Sequence, residues 1–281
     1  MVDCIIVGSG VAGISAALTL KANGKTALIF GSKALSEKIE KAELIQNYPG
    51  LSLITGKDFT AALKKQLEDA KIEIIEEKVS GVYAMKEKFA VATQQGGMYE
   101  SKSVILACGV ESIKQIDGED TYLGRGVSAC ATCDGFLYKG KTIAVFCTSK
   151  RLEHEIKYLA DIAAKVYLIP MYKGVEIAGE NIETIRKMPT KIDGEKRVEK
   201  LCFGAEELPI DGMFVLREST SPAVLVGGLE MQNGHVKVAR DMSTNIKGCY
   251  AAGDCTGRPY QYAKAVGEGN VAAHSVSEFL K

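Results

Sequence analysis

The stretch Cys4-Ile5-Ile6-Val7-Gly8-Ser9-Gly10-Val11-Ala12-Gly13 joins a short apolar run to three glycines in the spacing G-x-G-x-x-G. Residues 14–20 have helical composition, and residues 27–30 form a second apolar run. The glycines therefore lie between a predicted buried parallel strand and a helix. In this context the first glycine allows a tight turn, the second lets a pyrophosphate approach the backbone, and the third lets helix and strand pack closely. The pattern predicts dinucleotide binding; the alternative is a glycine-rich turn with no ligand.

The residues that follow predict the rest of a first domain segment. The second apolar run ends at Gly31-Ser32-Lys33, without the acidic residue that usually binds the adenosine ribose. Residues 58–70 predict an amphipathic helix, and residues 81–99 predict strands and hairpins. A buried strand at residues 103–108 then closes the segment.

A second strand-helix-strand unit is predicted over residues 141–146, 151–163 and 165–169. Its first connecting loop, Cys147-Thr148-Ser149-Lys150, contains no glycine, so side chains occupy the positions where a pyrophosphate would need bare backbone. The chain continues after the second strand as Pro170-Met171-Tyr172-Lys173-Gly174, with no arginine cluster for a 2′-phosphate. The scaffold of a nucleotide-binding unit is thus predicted without its binding chemistry.

A C-x-x-C pair precedes this second unit, in Cys130-Ala131-Thr132-Cys133-Asp134-Gly135. Two cysteines at this spacing can close a disulfide in which one sulfur attacks a partner and the other resolves. The carboxylate of Asp134 can give and take the protons that thiol chemistry requires. The alternatives are half a zinc site or two buried cysteines. The other cysteines and the histidines show no ligand spacing, so we expect redox chemistry and no metal site.

A last apolar run at residues 248–252 ends at Gly253-Asp254, and residues 260–279 predict a helix. An aspartate at such a strand end can bind the hydroxyls of a polyol chain; the alternative is a helix-capping aspartate.

The composition is that of an ordinary soluble protein: 281 residues, 46% hydrophobic and 25% charged, with a net charge of zero. The neutral balance argues against nucleic acid or a membrane surface as partner, and no apolar run is long enough to span a bilayer. Eight cysteines are too few for a disulfide scaffold, and the first residues lack the pattern of a signal peptide. We therefore expect a cytoplasmic protein.

Taken together and in this order, the motifs resemble the low-molecular-weight thioredoxin reductases. The matching pieces are the loop of residues 8–13, Asn47-Tyr48-Pro49-Gly50, Ile105-Leu106-Ala107-Cys108-Gly109, the C-x-x-C-D-G segment, and Ala251-Ala252-Gly253-Asp254 with Gly267-Glu268-Gly269. The resemblance implies a homodimer with an α/β fold of two Rossmann-like, three-layer domains of the nucleotide-binding type. It implies a discontinuous FAD-binding domain at residues 1–111 and 218–281, around a central redox-disulfide domain at residues 112–217.

The same resemblance implies the roles of individual residues. Cys133 would face the flavin, Cys130 would attack the substrate, and Asp134 would be the acid/base. The implied FAD contacts are Gly8, Ser9, Gly10, Val11, Ala12, Gly13, Gly31, Ser32, Lys33, Asn47, Val79, Cys108, Gly109, Gly253, Asp254, Gln261, Tyr262 and Ala263. Tyr262 would either stack beside the isoalloxazine or pack into the core.

The departures from the family pattern concern the electron donor. Members that use NADPH carry a glycine-rich loop and a His-Arg-Arg cluster where this chain has residues 147–150 and 170–172. The pattern resembles the ferredoxin-dependent flavin thioredoxin reductases, so NADPH is not expected. Residues 34–41 also replace a Gly-Gly-Gln segment, and Gln261-Tyr262 replaces the usual Arg-Gln.

The function implied is a flavoprotein disulfide reductase that passes electrons from reduced ferredoxin through FAD and the Cys130–Cys133 disulfide to thioredoxin. One alternative is a thioredoxin reductase or disulfide oxidase that uses oxygen or an atypical NAD(P)H site, in which Lys150-Arg151 would bind a phosphate. A second alternative, a non-enzymatic redox-sensing flavoprotein, is disfavoured by the intact C-x-x-C-D.

Two hypotheses concern how partners reach the disulfide. Acidic ferredoxin would dock on a basic surface between residues 134 and 173, where seven basic residues face four acids. The seven are Lys139, Lys141, Lys150, Arg151, Lys157, Lys165 and Lys173. Because one pose cannot present a disulfide to both a flavin and a protein, we also expect the central domain to rotate, with hinges at residues 112–117 and 217–221.

Overall fold

The computed structural model describes residues 1–40, 42–110, 116–217 and 221–281. These residues fold into two compact units. Unit 1 contains residues 1–110 and 221–281, and unit 2 contains residues 116–217. Most of the two predicted hinges, residues 112–115 and 218–220, lies outside the described residues.

The first segment of unit 1 alternates strands and helices before an antiparallel meander. Its strands are β1 (Val2–Val7), β2 (Ala27–Phe30), β3 (Ile74–Ile75), β4 (Val79–Ala84), β5 (Phe89–Thr93) and β6 (Met98–Leu106), and its helices are α1 (Val11–Ala22), α2 (Glu37–Glu40) and α3 (Gly56–Asp69). The Thr55 hydroxyl caps α3 by accepting a hydrogen bond from the N–H of Asp58, which satisfies one of the free donors at the helix start.

Unit 2 begins with a short strand and the C-x-x-C segment. Its strands are β7 (Val127–Ser128), β8 (Thr142–Cys147), β9 (Lys165–Pro170), β10 (Ile182–Thr184), β11 (Lys191–Asp193), β12 (Lys200–Phe203), β13 (Glu206–Pro209) and β14 (Gly212–Leu216), and its helices are α4 (Ala131–Asp134) and α5 (Glu153–Ile162). A 3-10 turn at Gly135–Tyr138 follows α4, and another at Lys150–Leu152 precedes α5.

The chain then returns to unit 1. The second segment contains α6 (Pro222–Leu225), β15 (Met231–Gln232), β16 (His235–Val236), β17 (Cys249–Ala251) and α7 (Tyr262–Phe279), with a 3-10 turn at Asp254–Thr256. Helix α6 therefore begins directly after the predicted hinge at residues 217–221. Its first residue is Pro222, whose fixed φ suits the first turn of a helix.

The main sheets of both units contain five parallel strands in the same kind of order, and in unit 1 the antiparallel strands β5 and β4 extend the sheet from β6 to seven strands. In unit 1 the order is β3-β2-β1-β6-β17, and in unit 2 it is β10-β9-β8-β14-β7. The central strand of each sheet therefore leads into the first helix at the point where the strand order reverses. In open α/β sheets this point is the nucleotide-binding edge.

Each sheet is the middle of three layers. In β1, Cys4 and Ile6 pack on the face that carries α1, α3 and α7, while Ile5 and Val7 pack against the meander of β4 and β5. Strand β8 likewise packs one face on α5 and the other on the antiparallel sheet of β11 to β13. Burial on both faces explains why these strands are continuous apolar runs, and it confirms the predicted three-layer α/β class.

Across the described residues, none of the helices combines the length and the apolar character needed to cross a membrane.

Candidate active site

Most of the predicted cofactor-binding residues of unit 1 lie at one edge of its sheet. Strand β1 leads into Gly8, β2 into Gly31, β6 into residues 107–109, and β17 into residues 252–254. These are the carboxyl ends of neighbouring parallel strands. The turns after β1 and β2 are joined directly, because the Ser9 hydroxyl donates to the backbone oxygen of Ser32 at 2.9 Å.

The turn between β1 and α1 forms a cradle for an anion. Gly8 has φ +117°, and a Cβ there would lie 2.2 Å from the backbone oxygen of Ala107, so a side chain is excluded. A Cβ at Gly10, in contrast, would have no described atom within 4 Å. No side chain caps the start of α1, and its first turn contains no acidic residue. The free N–H groups of this turn therefore face open space that a pyrophosphate fits.

The turn after β17 is held by an ion pair within α7. The Lys264 ammonium donates to the backbone oxygens of Gly253 and Gly257, both at 2.8 Å, and to the Thr256 hydroxyl at 2.9 Å. Glu268, one helical turn later, accepts from the N–H of Gly253 at 2.8 Å and pairs with Lys264 at 3.1 Å. These bonds fix the backbone that carries Asp254.

Asp254 lies half-buried in this turn. Burial raises the pKa of its carboxyl, and the positive charges of Lys264 and Lys38 partly oppose that shift. A carboxylate at this edge can accept hydrogen bonds from the hydroxyls of a ribityl chain, as predicted.

The start of α7 contacts two other parts of the predicted site. The side-chain amide of Asn47 donates to the Gln261 carbonyl at 2.7 Å. The half-buried ring of Tyr262 packs edge-on against Phe59, with ring centroids 5.8 Å apart, and its hydroxyl donates to the backbone oxygen of Lys38 at 3.4 Å. Tyr262 therefore packs on the core of unit 1.

The remaining predicted contacts are more scattered. Cys108 and Gly109 follow β6, and Gly109 has φ +67°. Lys33 is exposed, and Ala263 is exposed in the first turn of α7. Val79 begins β4, its side chain is only 5% exposed, and it belongs to the core between sheet and meander.

The predicted redox pair forms a disulfide in unit 2. Cys130 and Cys133 are bonded, with Cα atoms 5.3 Å apart, at the start of the single-turn helix α4. The backbone N–H of Cys133 donates to the Cys130 sulfur at 3.2 Å. After reduction, this bond favours a thiolate at Cys130. The geometry thus suits Cys130 as the attacking sulfur.

Asp134 ends α4 beside the disulfide. Its carboxylate accepts a hydrogen bond of 2.6 Å from the Ser128 hydroxyl, the distance typical of a charge-assisted O–H···O⁻ bond. The Ser128 oxygen also accepts from the N–H of Cys130 at 3.1 Å. One buried serine therefore contacts both the predicted acid/base and the predicted nucleophile.

The corresponding edge of unit 2's sheet carries side chains. After β8 the Ser149 hydroxyl accepts from the N–H of Arg151 and caps the 3-10 turn. The ammonium of Lys150 pairs with the Glu176 carboxylate at 2.5 Å. Glu153, the first residue of α5, accepts from the Tyr172 hydroxyl at 2.9 Å.

Four free cysteines of unit 1, Cys4, Cys108, Cys249 and Cys255, lie in or just after strands of its sheet. Burial raises the pKa of the thiols of Cys4, Cys249 and Cys255 to about 12, and it raises the pKa of Cys108 well above its ordinary value. These thiols stay protonated at neutral pH and are poor nucleophiles. Within residues 1–40, 42–110, 116–217 and 221–281, no three His, Cys, Asp or Glu side chains form a metal-binding cluster.

Lys264 and Ser128 were missed by the sequence analysis, and Glu268 was quoted there only as part of the Gly267-Glu268-Gly269 motif. Lys264 and Glu268 have the i, i+4 spacing of an ordinary surface ion pair on a helix, so only their burial distinguishes them. Ser128 lies two residues before the C-x-x-C, where a hydroxyl in a polar loop would be the default interpretation.

Comparison with known proteins agrees with this geometry. The sequence pattern of the family described as pyridine nucleotide-disulphide oxidoreductases matches residues 2–152 and 171–269. The thioredoxin reductase of Helicobacter pylori is 32% identical over 310 aligned positions, covering 100% of this chain and 99% of the relative. The crystal structure of a ferredoxin-flavin thioredoxin reductase from Clostridium acetobutylicum matches with a TM-score of 0.90 at 46% identity, over 99% of this chain and 98% of that chain. A thioredoxin reductase from Gloeobacter violaceus has a TM-score of 0.80 and 28% identity, over 99% of this chain and 94% of that one.

These relatives are FAD-binding flavoproteins, and the uncapped helix start and glycine cradle of unit 1 fit the pyrophosphate of FAD. FAD is therefore the cofactor of this chain. With a redox disulfide in unit 2 and two α/β units of the same construction, the chain belongs to the pyridine nucleotide-disulphide oxidoreductase family, as a flavoprotein oxidoreductase homologous to thioredoxin reductases.

Proposed function

We propose that this protein is a ferredoxin-dependent thioredoxin-disulfide reductase. Reduced ferredoxin is the electron donor, the Cys130–Cys133 disulfide is the redox centre of the chain, and thioredoxin is the acceptor. When bound, FAD supplies a carrier that takes up electrons one at a time and gives them up in pairs. The residues that would hold it are the turn after β1, the N-terminus of α1 and the Gly253–Asp254 turn. The similarity to the Clostridium acetobutylicum ferredoxin-flavin thioredoxin reductase supports this choice of donor.

The observation that carries the choice of donor is the turn between β8 and α5. In unit 1 the equivalent turn is bare backbone with free N–H groups. In unit 2 the side chains of Ser149 and Lys150 occupy the turn, and Glu153 adds a carboxylate at the start of the helix. A carboxylate there repels the phosphates that a helix N-terminus would otherwise attract. This turn supports a donor other than NADPH.

The same observation weakens the alternative with an atypical nicotinamide site. That alternative relies on Lys150-Arg151 to bind a phosphate. The Lys150 ammonium is instead paired with the Glu176 carboxylate. A phosphate would have to displace this carboxylate and then lie near Glu153.

The chemistry of the chain is thiol–disulfide exchange. The Cys130 thiolate attacks the thioredoxin disulfide, one of whose sulfurs leaves as a thiolate while the other forms a mixed disulfide with Cys130. The Cys133 thiolate then attacks the Cys130 sulfur, which re-forms the Cys130–Cys133 bond and releases the second thioredoxin sulfur. Both thioredoxin sulfurs take up a proton, and Asp134 is placed next to Cys133 to transfer protons in these steps.

The surface beside the disulfide suits a protein substrate. Phe136 and Leu137 follow α4 directly and are 64% and 53% exposed. Two large apolar side chains exposed side by side are unusual unless they contact a partner. They offer thioredoxin an apolar contact next to the sulfur that it must meet.

The energetics permit this donor. Plant-type ferredoxins lie near roughly −400 mV, and thioredoxin lies near about −270 mV. The transfer of two electrons across that gap releases about 6 kcal/mol. Reduced ferredoxin can therefore drive thioredoxin reduction nearly to completion.

The basic surface predicted for ferredoxin docking is smaller in the structure than in the sequence. Lys150 pairs with Glu176, and Lys165 pairs with Glu183. Both acids follow residues 134–173, the range over which the charges were compared. These pairs remove two of the seven positive charges from that surface. A docking site elsewhere on the chain is equally compatible with the proposed donor.

The proposal is tested by anaerobic turnover of the FAD-loaded protein with thioredoxin, measured as thioredoxin thiols formed. Reduced ferredoxin should support continuous turnover, and NADPH should not. If docking is electrostatic, the rate with ferredoxin should fall as salt is added. Absence of thioredoxin thiols with reduced ferredoxin would reject the proposal. The homodimer implied by the resemblance, the cytoplasmic location expected from the composition, and the interdomain rotation stay predictions.

A further inference from the structure

Ser128 has contacts that its sequence context does not explain. Ser128 ends β7 and is only 4% exposed. Its backbone pairs with Phe214 of β14 in the parallel sheet. We propose that Ser128 is a positioning residue, which holds the Asp134 carboxyl beside the redox disulfide in both of its protonation states. The inference rests on the proposed acid/base role of Asp134.

The Ser128 hydroxyl donates its single proton and accepts one hydrogen bond, which leaves one acceptor position on its oxygen. Its oxygen accepts from the N–H of Cys130 at 3.1 Å. Its single proton lies within reach of two acceptors, an Asp134 carboxylate oxygen at 2.6 Å and the backbone oxygen of Cys130 at 3.2 Å. The shorter distance favours the Asp134 carboxylate as the acceptor of this proton.

A hydroxyl suits an acid/base partner because it can both donate and accept. When Asp134 is ionised, Ser128 donates to it. When Asp134 carries a proton, it can donate that proton to the Ser128 oxygen, and the Ser128 proton can turn to the backbone oxygen of Cys130. The carboxyl therefore keeps its place while its protonation changes.

Asp134 needs such a partner because its own element is short. Helix α4 is a single turn of four residues, so its backbone restrains the last side chain weakly. Within the described part of the chain, Ser128 supplies the side-chain hydrogen bond that the Asp134 carboxylate receives. Strand β7 is held in the sheet by its pairing with β14, so a hydrogen bond from Ser128 restrains the orientation of the Asp134 carboxyl.

The step affected is proton transfer during exchange. The oxidised thioredoxin disulfide gains two electrons and two protons, and the Cys130–Cys133 dithiol loses the same number as it closes to the disulfide. Without Ser128, Asp134 would sample orientations that do not reach the sulfurs, so the exchange rate would fall. Thioredoxin binding itself should not change, because Ser128 is buried.

The test isolates this half-reaction from the donor. FAD-loaded protein is reduced anaerobically with stoichiometric dithionite, mixed with oxidised thioredoxin, and the thioredoxin thiols are counted against time. Wild-type protein must reduce thioredoxin in this assay, which tests the proposed acceptor separately. Ser128→Ala should lower the limiting rate about tenfold and leave the concentration of thioredoxin for half-maximal rate unchanged.

A double-mutant cycle distinguishes positioning from a structural defect. Asp134→Asn should be slower still, and adding Ser128→Ala to it should change the rate by less than about twofold. Ser128→Thr keeps the hydroxyl and should retain at least about half of the wild-type rate. Tyr122→Phe, which removes a hydroxyl bonded to the Gly194 oxygen in the same unit, is the matched control and should keep the wild-type rate.

Three results would overturn the inference. The first is a wild-type exchange rate in Ser128→Ala. The second is that Ser128→Ala slows exchange as much in the Asp134→Asn background as in the wild type. The third is that a folded Ser128→Thr protein is as slow as Ser128→Ala. If Ser128→Ala does not fold, Ser128→Thr still tests the inference. A folded Ser128→Thr protein with less than about a tenth of the wild-type rate would contradict the claim that a hydroxyl at this position is sufficient.

Discussion

The turns after β1 and after β8 hold the same place in two sheets of the same construction, yet they differ in chemistry. After β1, the glycines leave the helix start bare, with no side-chain cap and open space beyond Gly10. After β8, Ser149 caps a 3-10 turn, Lys150 pairs with Glu176, and Glu153 opens the helix. Topology alone therefore does not determine the chemistry of this turn.

The comparison separates what holds a fold from what binds a ligand. Strand β8 needs burial on both faces, and it has that through residues such as Val145 and Phe146. Nothing in that requirement demands bare backbone at the following turn. A chain can thus keep a nucleotide-binding scaffold for its rigidity while the turn is closed by side chains, and keep a redox disulfide on the same unit.

The largest expected effect concerns the disulfide that unit 2 retains. Cys130→Ser and Cys133→Ser should each lower thioredoxin reduction at least about a thousandfold, because neither variant can close the disulfide that completes exchange. Cys202→Ser, which changes a buried free cysteine of the same unit, should keep normal turnover. Steady-state thiol formation measures all three. Turnover in either active-site variant would place the redox chemistry elsewhere.

The next effect concerns the open turn of unit 1. Gly10→Asp places a negative charge where we infer the FAD pyrophosphate, so FAD affinity should fall at least about a hundredfold. The stability of the apoprotein should stay within about 1 kcal/mol of wild type, because no described atom lies near the new Cβ.

Ser149→Asp is the matched control for Gly10→Asp. It places the same charge at the equivalent turn of unit 2, where aspartate can also cap the helix, so FAD affinity should be unchanged. FAD titration of the apoproteins measures both variants. Equal losses of FAD affinity in Gly10→Asp and Ser149→Asp would contradict the inference that only the turn after β1 binds the FAD pyrophosphate.

A smaller effect is expected at the apolar surface beside the disulfide. Phe136→Ser should raise the KM for thioredoxin about tenfold, because a contact of this size contributes about 1.4 kcal/mol when buried. Reduction of a small disulfide reagent should be unaffected. Leu53→Ser, which removes a similarly exposed side chain from unit 1, serves as control. An unchanged KM in Phe136→Ser would exclude this surface from thioredoxin binding.

The smallest effect concerns the buried thiols of unit 1. The pKa values of Cys4, Cys249 and Cys255 rise to about 12 on folding. Their stabilisation is full below the ordinary thiol pKa and is lost as pH rises toward 12, because only the unfolded chain releases these protons. Between pH 9 and 10 the free energy of unfolding should fall by about 1 kcal/mol per thiol. Urea unfolding of wild type and Cys249→Ala measures this; an equal pH slope in both would contradict it.

Long apolar runs were predicted well from the sequence. Strands β1, β2, β8 and β9 and helices α1 and α3 lie close to their predicted positions, because burial on both faces of a strand leaves a continuous apolar run and burial on one face of a helix leaves a helical period. Strand β7 was missed, because two residues carry no period and the strand depends on pairing with β14. The helix predicted to start at residue 151 begins as a 3-10 turn.

Single side chains were harder to predict, because their partners are distant in the chain. Arg217 was predicted to belong to a polar hinge, yet it forms a buried ion pair with Glu119, almost a hundred residues earlier. The acidic partners of Lys150 and Lys165 lie after residues 134–173, the range over which charges were compared, so the net positive charge predicted for this surface was too high. The role of Ser128 depends on a strand that left no pattern. Motifs thus locate the site, but tertiary contacts decide what supports it.

The most direct test compares two donors on one sample. The purified FAD-loaded protein is mixed anaerobically, in a stopped-flow instrument, with reduced ferredoxin or with NADPH in excess, and the absorbance of oxidised flavin is followed. We predict rapid bleaching by ferredoxin and none by NADPH on the timescale of turnover. Rapid bleaching by NADPH, accompanied by stoichiometric binding of the nucleotide, would contradict a closed nucleotide edge in unit 2.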